Sequence, residues 1–327
     1  MARLRAAAAL ALSGRYAGPG RQAAGGLAAW ARQAGAGLEI EDAGSDPEET
    51  ARRYVRLARR ADVLFGPYGS GPTRAVAAGL ASDRAVLWNH GGSAAPPAGG
   101  RLVSVIGPAE RYWAGLADVL AADGRDLGRV AVLRAPTGFG RAVAAGAVAS
   151  LAAAGHGPLV EDDFDESTAA RAAEDALDAG AAAVVGCGRI EDDLALGRAL
   201  AGAGVGVGLV VCGVSLAAHE LGDAVAGWLG PATWWPDGPA PPVPLGPDAD
   251  YPAAQALAAG LVAEEAVRAA GGAEPDALWE AARALRTRTF LGPFAVDEEG
   301  RQVAHAPSIV RWTLDPDGPA RVPAWRP

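Results

Sequence analysis

Residues 63–94 contain two apolar segments that each run into a glycine-rich polar loop. Val63–Gly66 and Ala85–Trp88 predict buried strands, and Thr73–Ala81 between them predicts a helix. A strand, a helix and a strand of this length predict a right-handed crossover between parallel strands. Both loops then leave the sheet at its carboxyl edge, where open α/β sheets bind ligands. The stretch therefore predicts a parallel α/β sheet with a candidate binding edge.

The same alternation of strand and helix patterns fills most of the 327-residue chain. One series begins with a strand at Leu4–Leu12, and a second begins at Val130–Leu133. A chain of this length can form two domains, each with its own core. We expect an α/β protein of two doubly wound parallel-sheet lobes joined by a multi-stranded hinge, with a ligand cleft between them. The predicted lobes are residues 1–106 with 236–302, and residues 107–235 with 303–327.

The amino terminus allows two interpretations. Met1–Gly14 combines basic residues with an apolar run, as a secretion signal does. It leads directly into Arg15–Tyr16 and a predicted helix, and no separate cleavable segment precedes it. We therefore interpret Leu4–Leu12 as the first strand of the fold, with a signal peptide as the alternative.

Composition excludes several kinds of partner. The net charge is −9, and no basic cluster is present, which argues against nucleic acid or anionic lipid. No apolar run reaches the roughly 18 residues of a membrane span, so we expect no membrane insertion. Cys187 and Cys212 are interpreted as buried free thiols rather than a disulfide. The His and Cys residues match no metal spacing, and we expect neither a metal nor another cofactor.

Each of the two loops in residues 63–94 brings a hydroxyl beside glycines. Ser70 follows the first strand, and Ser93 follows the second. Glycines leave backbone N–H groups uncovered, and this arrangement suits a small anion such as a carboxylate. Two alternatives remain open, because Ser70 is also a suitable cap for a helix beginning near Pro72, and Ser93 is an ordinary turn residue.

Five segments stand in a characteristic order and spacing: 12–20 (LSGRYAGPG), 63–77 (VLFGPYGSGPTRAVA), 85–94 (AVLWNHGGSA), 131–143 (AVLRAPTGFGRAV) and 251–266 (YPAAQALAAGLVAEEA). Together they resemble the type I solute-binding proteins of ATP-driven importers, in the leucine/isoleucine/valine-binding branch. The resemblance extends from the first strand to about residue 312. It implies a non-enzymatic protein whose two lobes are joined by a three-segment hinge and close on a ligand like a flytrap.

The resemblance also implies roles for particular residues. Ser70 and Ser93 would bind a ligand carboxylate, and the carbonyl of Gly92 would face an ammonium group. Tyr16 and Phe139 would form walls of the side-chain pocket, although both also suit packing roles. The further candidate ligand contacts are Tyr68, Asn89, Arg189, Glu191 and Tyr251. Asn89 has a second interpretation, as a residue that shapes its loop.

Three departures from the family pattern affect the expected ligand. Amino-acid binders of this type pair the ammonium with an acid after a later strand, but Val210–Ser215 contains none. Arg189 stands where relatives often have an aromatic residue, and Pro236–Asp250 replaces a helix. A buried arginine needs an anionic partner. We therefore expect either a second acidic group on the ligand or neutralisation by Glu191 or Asp192.

The leading hypothesis is the substrate-binding component of an ABC importer, which binds an amino acid or a small organic acid or amide and docks on a permease. That function implies an extracytoplasmic location, although the chain has no convincing signal peptide. The alternative is a cytosolic ligand sensor of the amide-binding type. An enzyme is disfavoured, because the chain has no lysine for a phosphate-binding loop and no Gly-x-Ser-x-Gly motif.

Overall fold

The computed structural model describes residues 3–44, 46–93, 99–316 and 318–327. The chain forms two compact units. Unit 1 consists of residues 1–108 and 238–305, and unit 2 of residues 109–237 and 306–327. The chain therefore passes from one unit to the other three times, and each unit is an α/β layer structure.

The strands, in chain order, are β1 (Arg5–Leu10), β2 (Gly37–Asp42), β3 (Val63–Phe65), β4 (Leu87–Asn89), β5 (Leu102–Ser104), β6 (Val130–Arg134), β7 (Val160–Asp163), β8 (Ala183–Cys187), β9 (Gly206–Leu209), β10 (Leu229–Ala232), β11 (Arg286–Thr289), β12 (Gly292–Ala295), β13 (Ser308–Asp315) and β14 (Gly318–Trp325). The helices are α1 (Ala17–Ala34), α2 (Pro47–Ala58), α3 (Ser70–Gly79), α4 (Leu116–Ala122), α5 (Gly138–Ala153), α6 (Ala169–Asp178), α7 (Ile190–Leu200), α8 (Leu216–Leu221), α9 (Tyr251–Ala270) and α10 (Pro275–Ala284). Among these described segments, no helix is both long enough and apolar enough to cross a bilayer.

Unit 1 is built on a five-stranded parallel sheet in the order β2-β1-β3-β4-β5. Alternate residues of the alanine-rich β1 face opposite sides, towards α1, α9 and α10 on one side and α2 and α3 on the other. Small residues allow helices to approach closely: a Cβ at Gly26 of α1 would lie 2.0 Å from the carbonyl oxygen of Ala253 in α9. Helices on both faces bury the sheet, so its exposed features lie at the strand ends.

Unit 2 contains a mixed seven-stranded sheet in the order β14-β13-β10-β9-β8-β6-β7. Strands β6 to β10 pair in parallel, and β13 and β14 extend the sheet with antiparallel pairing. Helices α6, α7 and α8 cover one face, while α4 and α5 cover the other. The doubly wound α/β class is confirmed, and the antiparallel edge is an addition that the sequence pattern did not predict.

Several elements depart from the predicted ones. The sequence pattern predicts one helix over Pro108–Ala122, but these residues form a short 3-10 turn at Ala109–Arg111 followed by α4. Gly115 is the N-cap of α4, and an added Cβ there would lie 2.2 Å from the Trp325 ring. β1 forms as predicted, and Asp46 caps α2 by accepting from the amides of Glu48 and Glu49. Both cysteines are buried and free, as predicted.

Candidate functional site

The loops after β3 and β4 lie side by side at the carboxyl edge of the unit 1 sheet. Their backbones are joined by a hydrogen bond of 2.9 Å from the Gly69 amide to the Gly91 carbonyl. The hydroxyl oxygens of Ser70 and Ser93 are 3.3 Å apart, and we call these two residues the serine pair. The structure therefore brings together the two hydroxyls that the sequence placed on separate loops.

Helix α3 begins at Ser70, three residues earlier than predicted, with Gly69 as its N-cap. Gly69 has φ +99°, a value that glycine adopts readily, and no side chain caps the helix. The Ser70 hydroxyl is therefore not a cap in this structure and instead faces Ser93. Since the first backbone N–H groups of a helix have no partner within it, the serine pair lies beside a partial positive charge.

The Asn89 side chain holds the loop that carries Ser93. Its Oδ1 accepts from the Gly91 and Gly92 amides at 3.3 and 2.9 Å, while Nδ2 donates to the Gly92 carbonyl at 2.5 Å and to Ser104 Oγ at 3.1 Å. Asn89 is fully buried. Its position agrees with the loop-shaping interpretation, and the Gly92 carbonyl, expected to face an ammonium, already accepts a hydrogen bond.

His90 is the next residue in this loop and is also fully buried. Neither ring nitrogen has a partner in hydrogen-bonding geometry among the residues that the structure describes. Burial lowers the pKa of His90 to about 4, and a contact with the Gly66 backbone only partly opposes this shift. The imidazole is therefore neutral at neutral pH.

Three half-buried tyrosines, Tyr16, Tyr68 and Tyr251, lie next to the serine pair and form what we call the tyrosine cluster. The Tyr68 ring centroid is 5.8 Å from that of Tyr16 and 6.3 Å from that of Tyr251. The Tyr68 and Tyr251 hydroxyls are hydrogen-bonded, and burial raises the pKa of Tyr68. A Cβ at Gly69 would be 3.8 Å from the Tyr16 ring, so this aromatic surface adjoins Ser70.

In unit 2, the Arg189 guanidinium is neutralised within the chain. It donates to both carboxylate oxygens of Asp192, at 2.7 and 2.8 Å, and lies 3.8 Å from the Glu191 carboxylate. Asp192 is fully buried, whereas the Arg189 side chain is 39% exposed. Burial disfavours the charge of Asp192, but hydrogen bonds from Arg189 outweigh this effect and lower the pKa. Of the two anionic partners expected for Arg189, an acid of the ligand or an acid of this chain, the structure shows the second.

Phe139 lies in the first turn of α5, which Thr137 caps by accepting from the Gly140 amide at 3.0 Å. Its ring meets that of Tyr112 edge to face, with 5.7 Å between centroids. The side chain is half-buried and packs on the core below α4 and α5. Phe139 thus combines a core contact with an exposed edge.

Sequence reasoning missed Asp193, which is fully buried beside Asp192 in the first turn of α7. Its carboxylate accepts backbone amides from two different loops. The available signal was a pair of acids directly after a buried strand and Gly188, at a position where a surface helix normally exposes them. Among the described residues, no group of His, Cys, Asp and Glu has the arrangement of a metal site.

The chain is similar to known proteins in both sequence and fold. A sequence family described as periplasmic binding protein matches residues 4–319. A leucine binding protein from Thermotoga maritima superposes with TM-score 0.79 at 18% identity, over 98% of this chain and 97% of that chain.

A solute binding protein of an R. palustris ABC transporter, in complex with 4-hydroxybenzoate, has TM-score 0.82 at 16% identity, over 98% and 96% of the two chains. An ABC transporter substrate-binding protein from Sphaerobacter thermophilus has TM-score 0.81 at 20% identity, over 99% and 98%. At these identities, the superpositions establish a shared fold. No curated protein matches the sequence.

Proposed function

The chain belongs to the periplasmic binding protein family, and from this premise we propose that it is the substrate-binding component of an ABC importer for a small carboxylate-bearing solute. The observation that carries the proposal is the serine pair, in which two hydroxyls from different loops face each other at the start of α3. The proposed role is binding rather than catalysis.

The serine pair suits a carboxylate for electrostatic reasons. Each hydroxyl can donate one hydrogen bond to a carboxylate oxygen, and hydrogen bonds to a charged acceptor are stronger than neutral ones. The N-terminus of α3 adds a partial positive charge and unpaired backbone donors. Gly69 and Gly71 have no side chain that would cover these donors. Removal of one hydroxyl should therefore weaken carboxylate binding without unfolding the unit.

Within this class, two observations favour a carboxylate that lacks an ammonium group. One of the two lone pairs of the Gly92 carbonyl is taken by Asn89, and Val210–Ser215 provides no acid to pair with an ammonium group. The tyrosine cluster instead offers aromatic surface and hydroxyls beside the serine pair. Because the R. palustris relative in the comparison carries 4-hydroxybenzoate, we propose aromatic carboxylates as the preferred ligands and amino acids as the alternative.

The proposal includes a permease as partner and an extracytoplasmic location, and family membership supports both. Fractionation of the native host tests the location. Recovery with the extracytoplasmic fraction supports the importer role. Recovery only from the cytosol contradicts it, because a cytosolic protein cannot deliver an external solute to a permease, and would favour the sensor alternative.

A thermal-shift screen tests the binding site with benzoate, 4-hydroxybenzoate, L-leucine and the uncharged 4-hydroxybenzamide. We expect 4-hydroxybenzoate to raise the melting temperature of the wild type, and the benzamide to have no effect. Ser70→Ala and Ser93→Ala should lose the response, while Ser82→Ala, which removes an exposed serine of the same unit, should keep it. Equal responses of the three variants would contradict the proposed site.

A further inference from the structure

The first turn of α7 places two adjacent, fully buried aspartates at the carboxyl edge of the unit 2 sheet. Asp193 Oδ1 accepts from the Gly188 amide at 2.8 Å, and Oδ2 accepts from the Val211 amide at 3.0 Å. Gly188 directly follows β8, and Val211 lies in the turn after β9. One carboxylate therefore joins two strand-end loops, and we call this arrangement the Asp193 bridge.

Asp192 binds the backbone of a third loop in the same way. It accepts from the Glu166 amide, in the segment after β7, at 3.2 Å and from the Arg189 amide at 3.1 Å. The start of a helix favours negative charge, because its backbone N–H groups point towards the carboxylates. The loops after β7, β8 and β9 are thus all fixed to one helix turn.

The backbone around Asp193 is shaped to admit the carboxylate. A Cβ at Gly188 would lie 2.5 Å from Asp193 Oδ1, and a Cβ at Gly186 would lie 3.2 Å from the same atom. Real Cβ atoms do not come as close as 2.5 Å to another heavy atom, so the bridge requires glycine at position 188. The glycine that directly follows β8 therefore allows the Asp193 carboxylate to approach the backbone closely.

Opposing effects set the pKa of the Asp193 carboxyl. Burial raises its pKa to about 7, the Val211 and Gly188 amides oppose that rise, and the neighbouring Asp192 charge adds to it. The thiols of Cys187, at the end of β8, and Cys212, in the turn after β9, also interact with Asp193, and burial raises the pKa of each. Arg189, in the same turn, donates to Asp192 instead.

We propose that Asp193 is a positioning residue whose ionised carboxylate holds the loops after β8 and β9 in one arrangement, and whose protonation weakens this hold. The carboxylate accepts the Gly188 and Val211 amides and also interacts with the Val210 amide. Protonation turns it into a neutral acceptor with one fewer lone pair, so its hydrogen bonds to these N–H groups become weaker. The bridge itself stands on contacts within unit 2. Its effect on ligand binding rests on the function proposed above, through the loop of Arg189, which is a candidate ligand contact.

NMR on the intact wild-type protein tests the bridge without any ligand. We expect the Asp193 side-chain carbon and the amide protons of Gly188 and Val211 to titrate together between pH 5 and 9, with a midpoint near 7. The Ser167 amide is the control, because it donates to Asp165, whose pKa is lowered mainly by the Ser167 hydroxyl. Amides of Gly188 and Val211 that stay constant, or that titrate with different midpoints, overturn the proposal.

Variants test the effect on binding. Asp193→Asn keeps the size of the side chain but places an NH₂ group against one of the two amides. Asp165→Asn is the matched control at a half-buried position, where the carboxylate also accepts a backbone amide. With 4-hydroxybenzoate as probe, we expect the dissociation constant of the wild type and of Asp165→Asn to change at least about threefold between pH 6 and 8. The dissociation constant of Asp193→Asn should stay constant over that range.

The outcomes separate the two proposals. Identical pH profiles of binding in wild type and Asp193→Asn overturn the positioning role, even if the amides titrate together. Absence of binding by every carboxylate tested contradicts the proposed function, whereas the NMR titration still decides whether the bridge exists. If Asp193→Asn does not fold, the wild-type titration remains the deciding measurement.

Discussion

Ser70 and Ser93 hold their hydroxyl oxygens 3.3 Å apart although they belong to loops after two different strands of the same sheet. The parallel pairing of β3 with β4 creates this proximity, because it brings both strands to the same edge. Glycines at 69, 91 and 92 allow the two loops to touch. The local fold therefore places two donors at one point, as recognition of a small anion requires.

Asn89→Ala should destabilise unit 1 by about 2–4 kcal/mol, since it removes a buried side chain that makes four hydrogen bonds and leaves the Gly91 and Gly92 amides without an acceptor. Ser104→Ala removes one of these bonds and should cost about 1 kcal/mol. Urea unfolding measures both. Equal stabilities of the two variants would show that Asn89 does not organise the loop.

Gly92→Ala should displace the loop of Ser93, because its Cβ would lie 2.4 Å from Thr73 Oγ1 and 2.9 Å from Thr73 Cβ. We expect a destabilisation of about 1–3 kcal/mol and weaker carboxylate binding. Gly71→Ala in α3 is the control, since its Cβ would meet nothing within 4 Å. Thermal unfolding of both variants gives the comparison, and a tolerated Gly92→Ala would contradict the close packing of this loop.

His90 should make the stability of unit 1 fall on acidification. Burial depresses its pKa from 6.5 to about 4, so between these values the unfolded chain binds more protons than the folded one, and stability is lost as pH falls. The full effect is about 3 kcal/mol. Urea unfolding at pH 7 and pH 4.5 should show a smaller pH dependence for His90→Gln than for wild type. His156→Gln, at an exposed position, should match the wild type.

Asp193 should act on stability with the opposite sign. Its pKa is raised from 3.8 to about 7, so the folded chain binds more protons in this range, and stability falls as pH rises towards 7. The effect reaches about 4 kcal/mol at neutral pH and above. Asp193→Asn should remove this dependence, whereas a variant with the wild-type pH profile would show that the carboxyl does not titrate in this range.

Arg189→Ala should destabilise unit 2 by about 1–2 kcal/mol, because it leaves the buried Asp192 carboxylate without its guanidinium. The figure is modest since Arg189 is 39% exposed and solvent screens its charge. Arg189→Lys should recover only part of the loss, as a lysine cannot donate to both oxygens in one plane. A chemical denaturation series of the three proteins measures this order, and equal stabilities would contradict it.

Much of the fold follows from local pattern. Asp46, Pro47 and the acids after them define the start of α2, and the apolar run of β3 is buried on both faces, as its composition requires. The strand pattern of β10 was missed because Leu229–Ala232 contains glycine and proline. It becomes a strand through pairing with Ser308–Arg311 of β13 and with β9. Pairing partners so distant in sequence leave no local signal.

The candidate site also combines features that the local sequence predicts with features that it does not. The serine pair could be predicted, because glycine-rich loops at adjacent strand ends carry the signal within 24 residues. The bond from Asn89 to the Gly92 carbonyl and the commitment of Arg189 to Asp192 could not, since each depends on side-chain orientation. Asp193 looked like an ordinary first-turn acid, and only its burial against Gly188 and Val211 distinguishes it.

The central claim is that the serine pair binds a ligand carboxylate, and isothermal titration calorimetry of 4-hydroxybenzoate with a double-mutant cycle tests it most directly. We predict that Ser70→Ala and Ser93→Ala each weaken binding about 10- to 100-fold, the equivalent of one charge-assisted hydrogen bond. The double variant should lose less than the sum of the two, because both hydroxyls act on one group. Dissociation constants within about twofold of wild type in all three variants would contradict the claim.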